Sequence, residues 1–177
     1  MEEQFTISIF VNNKPGVLVR IAQTFARRGY NVASLVVSAA HDPQFSRMTV
    51  VVIGNPVDFD QILRQLNKLV DVVHASHHES SDSVDREMAL FKVEVEPELR
   101  SAVFQVVEVF RAKTVDITER SLIIETTGNS SKIDALERLL GTMGLVEMVR
   151  TGKLIMARGA NRNRFPGGVL IRDIQAL

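Results

Sequence analysis

The sequence contains no cysteine, and its lysines and arginines, 21 in all, are balanced by 21 aspartates and glutamates. Without cysteine there are no disulfides, no thiolate metal sites and no cysteine nucleophile. A net charge of zero removes the whole-protein field that would draw nucleic acid or an anionic membrane, so neither is an expected partner. No apolar run approaches the roughly 20 residues a membrane span needs. Met1-Glu2-Glu3 has neither the basic nor the apolar region of a signal peptide, so cytoplasmic is the expected location. A plastid origin with its transit peptide removed stays open. What is present is ordinary for a globular chain: 45% hydrophobic and 24% charged residues in 177, enough for one medium domain or two small ones.

Hydrophobic periodicity writes the same plan twice. Residues 5–11 are rich in β-branched side chains and partly alternating, as a strand requires, and Pro15-Gly16 ends them. Leu18, Ile21, Ala22 and Phe25 then recur at helical spacing, predicting a helix over about 17–28, with Arg27-Arg28 in its last turn and Gly29 as a left-handed cap. Strands over 30–40 and 46–54 follow, then a helix marked by Phe59, Ile62, Leu63, Leu66 and Leu69, then a strand over 70–77. After the polar stretch Glu79-Ser80-Ser81-Asp82-Ser83-Val84-Asp85 the order repeats. It runs strand 88–95, a helix through Val103, Val106, Val107 and Phe110, a hairpin turning at 119–121, a helix through Ile133, Leu136, Leu139 and Leu140, and strands 146–150 and 154–156.

Strand, helix, strand, strand, helix, strand is the split-βαβ plan: an antiparallel sheet with both helices on one face. The fold class is therefore α/β of the α+β type, with two ferredoxin-like βαββαβ units. Boundaries fall at 1–78 for the first domain, 79–86 for a linker, 87–158 for the second domain and 159–177 for a flexible basic tail. Strand two, Val32-Ala33-Ser34-Leu35-Val36-Val37-Ser38-Ala39-Ala40, has little charge on either face. Such a strand predicts burial or an edge-to-edge partner, and a homodimer is the economical solution.

The corner Asn12-Asn13-Lys14-Pro15-Gly16 leads into the first helix. Helix N-termini carry unpaired amides and a favourable dipole, so a small carboxylate would dock there, with Gly16 allowing close approach and the Asn13 amide donating or accepting. A plain strand-to-helix turn with an asparagine cap fits the same residues.

Asn13-Lys14-Pro15-Gly16-Val17-Leu18, Arg28-Gly29-Tyr30-Asn31-Val32, Asp42-Pro43, Ser46-Arg47-Met48-Thr49 and Gln65-Leu66-Asn67-Lys68-Leu69-Val70-Asp71-Val72 together resemble the regulatory (small) subunit of acetohydroxyacid synthase, also called acetolactate synthase. The likeness continues through Arg86-Glu87-Met88-Ala89-Leu90 and Phe110-Arg111 to Arg158-Gly159. It implies an N-terminal ACT domain that pairs side by side with a second copy, a C-terminal α/β domain, and valine bound at the pairing interface. By the same resemblance Asn13, Gly16, Val17 and Leu18 hold the ligand's charged ends, and Asn31 and Val32 come from the neighbouring ACT domain. The common ACT pattern has Asp where this chain has Asn13. The chain itself is expected to be non-catalytic and to bind no cofactor. The implied partner is a catalytic (large) subunit that uses thiamine diphosphate, Mg²⁺ and FAD in valine and isoleucine biosynthesis, activated by this chain and feedback-inhibited through it. The alternative is a stand-alone ACT-type amino-acid sensor of another enzyme or a transcription factor.

Other clusters carry less. His74, His77, His78 and Glu79 suggest a metal site, but 74 and 78 share one strand face and 77 the other, which argues against three converging ligands. Asp116, Glu119 and Glu125 offer no acid–base pair across a cleft. Ser46-Arg47-Met48 lacks the glycine frame of a nucleophile elbow. From Arg150 onward the bases at 150, 153, 158, 162, 164 and 172 face a single acid, Asp173, which fits a flexible end better than a nucleic-acid site.

Overall fold

The computed structural model describes residues 3–78 and 83–158. The basic segment 159–177 and Glu79 lie outside the described residues. Two compact units form, the first holding the described residues up to Val84 and those from Lys153 on, the second Asp85–Gly152. Among the described residues no helix is long and apolar enough to cross a membrane.

In the first unit, strands β1 (Glu3–Asn12), β2 (Asn31–Ala39), β3 (Phe45–Gly54) and β4 (Val72–His77) form one antiparallel sheet in the order β2-β3-β1-β4. Helices α1 (Val17–Ala26) and α2 (Pro56–Leu66) cover one face. The central strand contributes Ile7, Ile9 and Val11, all fully buried, which meet Ile21, Phe25, Ile62 and Leu66 from the helices. Each such side chain contributes about 1.5–3 kcal/mol through apolar burial. Of the stripe read for α1, Ile21 and Phe25 face the core, whereas Leu18 and Ala22 are exposed and Val17 takes the buried place at the helix start. In α2 the buried face is Phe59, Ile62 and Leu66, as its stripe indicated. Helix α1 stops at Ala26, leaving Arg27 as its C-cap, and Gly29 takes the left-handed conformation (φ 71°) that turns the chain into β2.

Asn67, the C-cap of α2, secures an edge strand. Its Nδ2 donates to Leu63 O and Ala75 O, and its Oδ1 accepts from Ala75 N at 2.9 Å. Asn67→Ala removes three bonds at once and strands both polar groups of Ala75. A loss of about 2 kcal/mol is expected in urea unfolding.

The second unit has the same order: β5 (Ser83–Glu94), a 3-10 turn (Pro97–Leu99), α3 (Arg100–Val109), β6 (Lys113–Ile117), β7 (Ser121–Gly128), α4 (Ser130–Gly141) and β8 (Leu145–Arg150). Its sheet runs β6-β7-β5-β8. Strand β5 begins at Ser83, inside the span read as a linker from its polar composition. There the main chain of Ser83 accepts from Arg158 Nε, and Ser83 and Glu87 point inward and are buried. Polar residues lose their loop character once register and burial organise them.

Both units place an asparagine at the start of their second helix. Asn55 Oδ1 accepts from Val57 N ahead of α2, and Asn129 Oδ1 accepts from Lys132 N ahead of α4. The first helix of each unit has no side-chain cap.

Candidate functional site

The corner between β1 and α1 is built by tethers to two other loops. Asn12 N donates to Asp71 O at 2.9 Å, and Asn13 N to Gln44 O at 2.7 Å. The Asn13 Nδ2 donates to Pro43 O at 3.0 Å, so the side chain holds the β2–β3 turn and leaves its carbonyl Oδ1 as an acceptor. Asn13 is therefore not the helix cap. That place belongs to Gly16, at φ 81° in the left-handed region that favours glycine. With no side chain folded over the first turn, the amides of Leu18 and Val19 have no hydrogen-bond partner among the described residues.

Residues 13, 14, 15, 16 and 18 are exposed around this opening, whereas the Val17 side chain is buried in the core, leaving only its main chain for recognition. Arg20, one turn along α1, forms an ion pair with Asp71. A Cβ placed on Gly16 would lie 3.3 Å from its guanidinium. Arg20 is thus a cation at the mouth of the corner. Composition alone did not single it out, although its position one helical turn after the glycine was the available signal. The chemistry on offer is open amides and a guanidinium for a carboxylate, and the Asn13 oxygen for an ammonium.

Asn31 and Val32 lie elsewhere in the unit. Asn12 pairs with Phe45 at one end of β3, and Asn31 with Ile53 at the other. At ~3.3 Å per residue the separation along β3 is roughly 25 Å. One chain therefore brings together Asn13, Gly16, Val17 and Leu18, and leaves Asn31 and Val32 at the far end of the sheet. Both are exposed on β2, an edge strand whose Val32, Leu35 and Val37 are 39%, 39% and 44% exposed.

The histidine cluster separates across β4. His77 packs edge-on against Phe59 and Phe5 on the helix-covered face, while the β1 register puts His74 and Ser76 beside Phe10 and Ser8 on the other. Among the described residues, no group of three His, Asp or Glu side chains is arranged to hold a metal. Burial lowers the pKa of His74 and of His78, and for His78 the charges of Arg47, His77 and His74 lower it further. A histidine with a folded pKa below its unfolded value takes up its proton more readily when unfolded. Its contribution is complete above the unfolded pKa of about 6.5 and is lost as pH falls below it. The urea midpoint is expected to drop between about pH 7.5 and about pH 5, and His78→Gln to shrink that drop. An unchanged drop in the variant would remove His78 as its source.

Ser46 is buried within β3 rather than presented at a turn. Asp116 sits on β6, Glu119 in the β6–β7 turn and Glu125 on β7. Together they form no ion pair or hydrogen-bonded carboxylate pair among the described residues.

Comparison with known proteins supplies independent information. Residues 86–159 match the family described as the small subunit of acetolactate synthase, and residues 7–74 match an acetohydroxyacid synthase small subunit-like ACT domain. The acetolactate synthase small subunit of Mycobacterium bovis is 42% identical over 154 residues, covering 87% of this chain and 92% of its own. A probable acetolactate synthase small subunit of Archaeoglobus fulgidus is 43% identical, covering 87% and 96%. The crystal structure of the acetolactate synthase small subunit from Thermotoga maritima superposes with a TM-score of 0.80 at 39% identity, covering 89% of this chain and 98% of that one.

Proposed function

The chain belongs to the family of acetolactate synthase small subunits, and from that premise we propose that it activates a catalytic acetolactate synthase subunit and makes it sensitive to valine. The supporting observation is the β1–α1 corner, an uncapped helix start held open by Gly16, flanked by Arg20 and by the free oxygen of Asn13. The valine carboxylate goes to the amides of Leu18 and Val19 with Arg20 close by, and its ammonium to Asn13 Oδ1.

A second copy completes the site. If β2 pairs antiparallel with β2 of another chain about a two-fold axis, the partner's start of β2 falls opposite Ala39. That is the end of the sheet where the Asn13 corner lies. Such pairing also covers the apolar strip Val32, Leu35 and Val37 and satisfies an open sheet edge. Asn31 and Val32 then close the site of the neighbouring chain. Thiamine diphosphate, Mg²⁺ and FAD belong to the catalytic partner in this proposal, and this chain holds no cofactor. Inhibition requires valine to bind one arrangement of the paired domains more tightly than another, since equal affinity shifts nothing.

The test is acetolactate formation by the matching catalytic subunit, with and without this chain, across a valine titration. Activation that valine reverses supports the proposal. No activation and no valine response would leave a stand-alone amino-acid sensor with another client.

A further inference from the structure

The second unit rebuilds the same corner with different chemistry. Glu94 N donates to Gly144 O at 2.8 Å and Val95 N to Arg120 O at 3.0 Å, the counterparts of the Asn12–Asp71 and Asn13–Gln44 bonds. In each unit the end of the first strand is tied to the loop before the last strand, and the next residue to the central hairpin. Gly144 makes the first tether feasible: it is left-handed at φ 97°, and a Cβ there would lie 2.1 Å from Glu94 O. Pro97 follows two residues after Val95 just as Pro15 follows two after Asn13, and α3, like α1, starts without a side-chain cap.

A cleft of about 400 Å³ opens at this second corner, lined by Glu96, Pro97, Arg100, Glu119 and Arg120. That volume is in the range of small-molecule sites. Arg100 donates from Nη2 to Thr118 O at 2.6 Å, and its Nε is buried with no hydrogen-bond partner. None of the four charged side chains lining the cleft forms an ion pair among the described residues. Two cationic and two anionic residues therefore line one cleft with no ion pair between them among the described residues.

The geometry points to a second ligand site in the C-terminal unit, for a small zwitterion carrying a carboxylate and an ammonium, of the size of a free amino acid. Arg100 and Arg120 receive the carboxylate, and Glu96 and Glu119 the ammonium. A lone anion or a lone cation would leave one pair of like charges uncompensated. The lining is ionic apart from Pro97, so it selects for the charged ends rather than for an apolar side chain. This site is separate from the Gly16 corner and does not depend on valine binding there.

The experiment uses full-length ¹⁵N-labelled protein titrated with each proteinogenic L-amino acid in turn at millimolar concentration. The amide resonances of Glu96, Thr118, Glu119 and Arg120 are followed, with acetate and ethylammonium as one-ended probes. At least one amino acid is expected to move these resonances saturably, in the native chain and equally in Gly16→Asp. Arg120→Gln and Glu96→Gln should each weaken that binding about tenfold, as the loss of one charge-assisted contact does. Both residues are exposed, so the fold is kept. The proposal is overturned if no amino acid moves these resonances, or if acetate alone reproduces the full shift. It is equally overturned if both variants bind as the native chain does, or if Gly16→Asp abolishes the response.

Discussion

Gly16→Asp is expected to abolish valine sensitivity while leaving association with the catalytic subunit intact. Three effects act together at this position. The backbone is left-handed at φ 81°, which costs a side chain on the order of 1 kcal/mol, least for Asn and Asp. The new carboxylate enters the space that the ligand's carboxylate would use, beside the open amides of the first turn. Lastly, Arg20 Nη1 stands 3.3 Å from where the new Cβ would be, so the aspartate competes with the effector for the guanidinium that Asp71 holds through Nη2. An aspartate at a helix N-terminus is itself favourable by about 0.5–1 kcal/mol, so stability should change little. The concentration of valine giving half-maximal inhibition should rise at least a hundredfold, since like-charge apposition and loss of the site act together. Acetolactate formation in the presence of the catalytic subunit measures this, and gel filtration of the mixture checks association. Full retained sensitivity would remove the corner as the effector site.

Arg150→Met is expected to have the largest effect on stability. Arg150, on β8, donates from Nε and Nη2 to Glu87 Oε2 at 2.9 and 2.6 Å, and from Nη1 to Asp134 Oδ1 at 2.6 Å. The second oxygen of Glu87 accepts from Ser130 Oγ. Glu87 is 5% exposed, so removing its cation leaves a carboxylate in the interior with only a hydroxyl for company. Breaking such a pair costs about 3–5 kcal/mol when both groups are buried. With the Arg150 side chain one-quarter exposed, the lower end, about 3 kcal/mol, is expected in urea unfolding. The double variant Glu87→Leu/Arg150→Met removes both charges and should recover most of that loss, because a buried pair contributes little beyond its apolar replacement. Failure of the double variant to recover would mean that the network contributes net stability, not merely mutual neutralisation.

The recurrence of the corner was only partly legible in the sequence. The repeated order of strands and helices pointed to duplication, and in both units the first helix leads directly into the second strand. A sharper signal went unread: Gly54-Asn55 and Gly128-Asn129 each end a strand and cap the following helix, with the asparagine in the same role. The corner residues themselves, Asn12–Gly16 against Glu94–Pro97, share only the proline, because their common feature is a pair of main-chain bonds that side-chain identity does not encode. Arg20 and Arg100 escaped notice for a related reason. Each looks like an ordinary surface cation until the loop opposite is placed against it.

The linear chain was enough to determine the element order, most of the helix-facing core and the two-fold repetition of the plan, although Leu18, Ala22 and Leu139 of the stripes are exposed. These follow from periodicities of 3.6 and 2, local properties in which each residue needs only its near neighbours. It also carried the family motifs around Gly16. Which residues share a site was decided by tertiary structure, through antiparallel register and tethers between loops distant in sequence. Asn13 and Asn31 are close in sequence and yet lie at opposite ends of one sheet, whereas Asn13 meets Pro43 and Glu87 meets Arg150 across long stretches of chain. Periodicity places a side chain on a face, and only closure of the sheet places it against its partner.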